Sequence, residues 1–199
     1  MELGKFKLIL GSQSPRRNEL LSWLNINFEI VTADLEEVSN EIKPAKIAVD
    51  LAIQKARAVQ RKCNPSDNNF VIAADTIVVL EEKIYGKPKD RADAERILNE
   101  LSGKIHQVIT GVCFYYNGSE HSFFDQTDVT FNTIESYLMK NYLDTNDSLD
   151  KAGAYGIQGP GLTFISKIDG SYSNVVGFPL DKIVAELKSL FGQEWNRRF

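Results

Sequence analysis

Phe70 to Leu80 (Phe-Val-Ile-Ala-Ala-Asp-Thr-Ile-Val-Val-Leu) is the most strand-like run in the chain, apolar throughout except at Asp75 and Thr76. Any fold of this sequence has to accommodate a carboxylate at the centre of an apolar strand. Aspartate is depleted from strands, and burying its charge is costly unless the group is paired, hydrated or bound to a cation. Ala73 and Ala74 leave space beside it, and Thr76 adds a hydroxyl. Two readings follow. Either the strand bends and lets Asp75 face water, or the fold builds a site around this carboxylate.

The amino-terminal segment supplies a partner for the second reading. Phe6 to Leu10 reads as a buried strand that breaks into Gly11-Ser12-Gln13-Ser14 and continues into a helix around Asn18 to Leu24. Ser14 suits the N-cap, and Pro15 suits the first helical position, where a missing N–H costs nothing. Backbone N–H groups then point outward at the positive end of the helix dipole. Arg16 and Arg17 add forked, charged donors that match phosphate oxygens. The arrangement reads as a phosphate grip, against the plainer alternative of an ordinary cap followed by solvated arginines.

Further candidates are weaker alone. Pro44 opens a long helical pattern in which Ile47, Leu51, Lys55 and Ala58 fall near one face, so Lys55 interrupts an apolar stripe. Gly86-Lys87-Pro88 sets Lys87 on a tight loop. Either lysine also reads as a surface side chain snorkelling along its stem. Glu37 lies in an acidic loop, Asp34-Leu35-Glu36-Glu37, which simple solvation would explain. Paired with Asp75, it would instead complete an oxygen set for Mg²⁺ or Mn²⁺, ions that take one or two carboxylates together with substrate phosphates. Lys151 to Gly159 is glycine-dense without being a P-loop. It reads either as a flexible connection or as backbone that approaches a flat ligand, with Gln158 offering a donor and an acceptor to a base edge. His106 and His121 lack partners at metal-ligand spacing and read as structural.

The remaining pattern sets the architecture. Asn27 to Thr32 alternates as a strand, and Glu81-Glu82-Lys83 turns back through Ile84-Tyr85. Asp90 caps a helix to about Leu101, ended by Ser102-Gly103. His106 to Tyr116 and Ser122 to Thr133 flank Asn117-Gly118, a strong hairpin signal. A helix follows over Glu135 to Tyr142, then a strand over Thr163 to Ile168, a tight turn over Asp169 to Asn174, and a last helix from Pro179 to Phe191. Helices mixed with strands and one long antiparallel hairpin imply a mixed α/β class with a partly antiparallel sheet. At 199 residues, one domain or two apposed lobes around a cleft is expected. A net charge of −4 argues against a nucleic-acid partner, which needs a basic face. No apolar run reaches the roughly 20 residues of a membrane span, and Lys5 and Lys7 interrupt any signal-peptide core. Cys63 and Cys113 form no CxxC and read as buried or half-buried thiols. A cytoplasmic location is the simplest expectation.

Taken in order, the segments resemble the Maf family of nucleotide pyrophosphatases. The resemblance is carried by Ser12-Gln13-Ser14-Pro15-Arg16-Arg17, Ala74-Asp75-Thr76, Gly86-Lys87-Pro88, Leu101-Ser102-Gly103 with His106, Asp150 to Gly159, Ile168 to Tyr172 and Val176 to Pro179. It covers Leu8 to Leu180; Phe178, where leucine is commoner, is a departure that bears on packing. The resemblance implies a single Maf-like domain over 1–199, with two lobes and a central cleft similar to the inosine triphosphate pyrophosphatases. It implies hydrolysis of nucleoside triphosphates to the monophosphate and pyrophosphate with a divalent cation, and a possible homodimer. Asp75 falls on the family's catalytic aspartate; Ser12, Arg16, Glu37, Lys55 and Lys87 fall on its phosphate- and metal-associated positions. Arg17, Thr76 and Gln158 match the branch acting on dTTP and UTP, with Thr76 and Gln158 expected to read the pyrimidine edge. The alternative is a non-catalytic nucleotide-binding regulator linked to septum formation. An aspartate retained beside a full set of cations favours the enzyme, because a sensor needs no base.

Overall fold

The computed structural model describes residues 5–64 and 67–192; the rest of the expected 1–199 domain lies outside them. Its elements run β1 (Lys7–Leu10), α1 (Pro15–Ser22), β2 (Glu29–Ile30), α2 (Pro44–Lys62), β3 (Asn69–Leu80), β4 (Lys83–Tyr85), α3 (Arg91–Leu101), β5 (Ile105–Tyr116), β6 (Ser119–Phe131), α4 (Ser136–Asp144), β7 (Ile165–Asp169), α5 (Tyr172–Val176) and α6 (Leu180–Phe191). The seven strands form one sheet in the order β2-β1-β3-β5-β6-β7, with β4 pairing the far end of β3. β1 pairs in parallel with β2 and β3, whereas β3, β5, β6 and β7 are joined by antiparallel pairings. The mixed α/β class and the partly antiparallel sheet agree with the sequence reading.

β3 organises both faces through its period of two. Val71, Ala73, Ile77 and Val79 face α2, where they meet Ala48, Ala52, Ala56 and Val59. Phe70, Ile72 and Ala74 point the other way into a core closed by α1 and α6 through Leu20, Leu21, Ile183, Leu187 and Phe191. Val78 and Leu80 on that same face join a separate core closed by α3 and α4 through Ile97, Leu98, Leu101, Met139 and Leu143. The two polar residues, Asp75 and Thr76, sit where each face changes from one apolar group to the next. The boundary between these apolar groups therefore falls at the polar step in the middle of the strand.

Small residues let α2 lie close to the sheet. Asp75 pairs in register with Gly111 of β5. A Cβ on Gly111 would stand 2.3 Å from the Ala48 carbonyl carbon and oxygen. Only glycine admits that helix at that height.

Some boundaries differ from the sequence reading. α1 starts at Pro15, so Arg16 and Arg17 belong to its first turn. β2 is two residues long rather than the expected run from Asn27 to Thr32, because it pairs only with Ile9 and Leu10. The strand expected from Thr163 starts at Ile165, after a 3₁₀ turn over Pro160–Phe164. The tight turn expected over Asp169 to Asn174 instead leads into α5, capped by Ser171, whose side chain accepts from the Asn174 N–H. Turn residues and N-cap residues are drawn from the same set, so pattern alone did not separate them. His106 and His121, expected to be structural, each meet a partner within the protein. The His106 ring bonds the Tyr155 hydroxyl at 2.8 Å, and His121 meets Glu186 at 2.7 Å.

Candidate active site

A cleft of about 840 Å³ opens beside the middle of β3, and Ser12, Arg16, Arg17, Glu37, Lys55, Asp75, Thr76, Lys87 and Gln158 all line it. The structure thus brings together every candidate singled out from the sequence, from six separate segments of the chain.

Asp75 does not bend out to water; it is buried, with 6 % of its surface exposed. Its charge is met by Lys55, which descends from α2 and places Nζ 2.5 Å from Asp75 Oδ1. The same ammonium lies 3.0 Å from Glu37 Oε1. The interruption of the apolar stripe on α2 therefore aims a cation at the carboxylate that interrupts β3, and neither would be tolerable alone. Glu37 reaches the site from the loop after β2, so it is not merely a solvated side chain.

The two arginines divide. Ser14 caps α1 as expected, its side chain accepting from the Arg17 N–H. Arg17 turns inward: its Nε donates to Gly177 O at 2.7 Å, Nη1 to Ala74 O at 2.7 Å, and Nη2 to Thr76 Oγ1 at 2.9 Å. Burial lowers its pKa from the ordinary guanidinium value, with the Asp75 carboxylate acting the other way. Arg17 thereby ties α1 to the peptide just before Asp75. Arg16 stays half-buried at the cleft wall, and both its Nη groups donate to Asp150 Oδ2 at 3.1 Å.

Some participants escaped the sequence reading. Thr76 shares a 3.0 Å hydroxyl contact with Thr110, which also donates to Asn174 O. Asn174, fully buried, donates from Nδ2 to Val108 O and Thr127 Oγ1. Thr110 carried a signal of the same kind as Asp75, a polar residue inside an apolar strand. Asp150 stood out only as the first residue of a segment that carries the family resemblance, because an aspartate in a polar loop is unremarkable by pattern. Burial pushes its carboxyl up, but Lys151 and Arg16 outweigh this and hold it below the usual carboxylate range. Among the described residues, no group of three or more His, Cys, Asp or Glu side chains is set to hold a metal ion. No helix there is long and apolar enough to cross a membrane.

The fold and site define a mixed α/β protein in which a buried carboxylate and its lysine partner stand in a cleft lined with arginines and lysines. The family described as "Maf-like protein" matches residues 7–190, and the chain belongs to that family. It is 46 % identical over 184 residues to a Bacillus pumilus protein named dTTP/UTP pyrophosphatase, covering 92 % of this chain and 96 % of that one. Proteins of the same name from Caldanaerobacter subterraneus and Thermoanaerobacter sp. are 45 % and 43 % identical, covering 98 % and 93 % of this chain and 95 % and 97 % of theirs. Among solved structures, the Staphylococcus aureus Ham1 protein matches with a TM-score of 0.47 and 17 % identity, covering 63 % of this chain and 71 % of that one.

Proposed function

We propose that the protein hydrolyses nucleoside triphosphates to the monophosphate and pyrophosphate, with dTTP and UTP as preferred substrates. The observation that carries this reading is the buried Asp75 carboxylate, held by Lys55 in a cleft that Arg16 and Lys87 also line. The names of the Bacillus and Thermoanaerobacter relatives support the choice of nucleotides.

In this reading water attacks the α-phosphorus, the bond from that phosphorus to the α,β-bridging oxygen breaks, and pyrophosphate leaves with the electron pair. Asp75 orients the water and accepts its proton. Arg16, Lys55, Lys87 and the Ser12 hydroxyl hold the triphosphate oxygens, so the charge that develops on the leaving group meets fixed cations. Arg17 keeps Thr76 and the Asp75 peptide in place. Thr76 and Gln158 line the part of the cleft assigned to the pyrimidine.

The donor set fits a hard divalent cation. Glu37 and Asp75 already share one positive charge, the Lys55 ammonium, and two carboxylates completed by phosphate oxygens and water suit Mg²⁺ or Mn²⁺. Such an ion, held by Glu37 and Asp75, would neutralise triphosphate charge.

The test is pyrophosphate release from dTTP, UTP, CTP, GTP, ATP, ITP and 7-methyl-GTP with either metal, wild type beside Asp75→Asn. Turnover led by dTTP and UTP is expected, falling at least about 10³-fold in the folded variant. Near-normal activity in Asp75→Asn would refute the assignment. Triphosphate binding with no turnover of any substrate would favour a nucleotide-binding regulator instead.

A further inference from the structure

Arg16 leaves the first turn of α1 and meets a carboxylate 134 positions further along the chain. Both Nη groups share a single oxygen, Asp150 Oδ2. A guanidinium has five N–H donors, and among the described residues Arg16 makes no other hydrogen bond, so most of its donors remain for an oxyanion in the cleft.

Asp150 is itself held. Its Oδ1 accepts from Lys151 Nζ at 2.7 Å. That ammonium also donates to the Asp147 carbonyl at 2.5 Å and to Asp147 Oδ1 at 2.8 Å. An ammonium carries three donors, and these three oxygens occupy them. Lys151 is buried, and Gly156 covers its stem so closely that a Cβ there would stand 2.6 Å from Lys151 Cε. Lys151 thus has no donor left for a ligand. Behind it, Asp147 Oδ2 accepts from the hydroxyl of Tyr142, a buried residue of α4. A chain of contacts therefore runs from the core under α4, through Asp147, Lys151 and Asp150, to Arg16 on α1.

We propose that Asp150 is a positioning residue for Arg16: it fixes the guanidinium at the cleft wall in the pose that receives a phosphate group, and Lys151 is the buried counter-charge that fixes Asp150. This rests on the reading that Arg16 binds the triphosphate. Two effects of Asp150 oppose each other. Its negative charge competes with an incoming anion, while its grip removes the rotameric freedom of a long side chain before binding. The grip wins, because the Lys151 ammonium, shared with Asp147, offsets part of the carboxylate's charge and the exposed side of Asp150 is screened by solvent.

The experiment is calorimetric titration of inorganic tripolyphosphate into wild type, Arg16→Ala, Asp150→Ala, the double variant and Asp150→Glu, with pyrophosphate release from dTTP and UTP measured in parallel. Asp150→Ala should weaken binding about fivefold, and should add nothing in the Arg16→Ala background, because it acts through Arg16. Asp150→Glu, which keeps both oxygens, should recover most of the loss. Unchanged or tighter binding in Asp150→Ala, an equal further loss in the Arg16→Ala background, or no tripolyphosphate binding by wild type would each overturn the inference. Wild type that turns over dTTP while the binding cycle is flat refutes the positioning role alone. Wild type that turns over no nucleotide while the cycle behaves as stated supports the grip and refutes the proposed activity.

Discussion

Thr76 shows how tightly the polar atoms at the middle of β3 are bound to one another. Its hydroxyl takes a hydrogen bond from the half-buried Arg17 guanidinium and shares another contact with Thr110. Valine has nearly the same shape and no hydroxyl. Thr76→Val should leave a half-buried charged donor without its acceptor and cost about 1 kcal/mol, read as a lower urea midpoint with an unchanged slope. Asp75 and Thr76 were conspicuous in the sequence because polar residues inside an apolar strand need a reason. The role of Arg17 was not. Sequence alone made both arginines candidate phosphate ligands, since both stand at a helix N-terminus. Only the packing of α1 against β3 committed Arg17 to the Gly177 and Ala74 carbonyls and left Arg16 with donors to spare.

At the scale of elements, the seating of α2 on the sheet decides whether Lys55 reaches Asp75. Gly111 is where the helix backbone touches β5. Gly111→Ala should push α2 away from the sheet, since the added Cβ would overlap the Ala48 backbone. The expected cost is about 3 kcal/mol, or a thermal midpoint lower by roughly 10 °C, with activity lost alongside as the Lys55–Asp75 pair is pulled apart. Nothing near Gly111 in the sequence announces this; glycine inside a strand marks a close approach without saying of what. The long elements were legible, because Pro44, Asp90 and Asn117-Gly118 punctuate them and their apolar patterns run over many residues. The short ones, β2 and α5, were not. β2 is defined by its pairing with β1 alone, and α5 is a single turn whose cap resembles a loop.

Across the whole molecule, stability should depend on pH through His106. Burial lowers its pKa to about 4, from 6.5 in the unfolded chain. Between those values the unfolded state binds more protons, so stability is complete above pH 6.5 and falls as the pH drops towards 4. The full loss is about 3 kcal/mol. Urea midpoints between pH 5 and pH 7 should slope for wild type and flatten for His106→Gln; equal slopes in the two proteins would remove His106 as the cause. The absence of ligand-spaced partners around His106 was readable in the sequence, whereas its Tyr155 partner, 49 positions away, was not.

The sequence by itself determined what had to be explained: an apolar strand broken by Asp75, a capped helix bearing two arginines, a lysine in an apolar helical stripe, and the ordered motifs of one family. These are local matters, governed by propensity, capping and the cost of burying charge. The tertiary structure alone decided which cation meets Asp75, which arginine is tied to backbone carbonyls, and how Asp150 and Lys151 back Arg16 from a distant segment of the chain. Those pairings join residues 20 to 134 positions apart. A charge in a sequence states that it needs a partner, but only the packing of helices on the sheet brings a particular partner within reach.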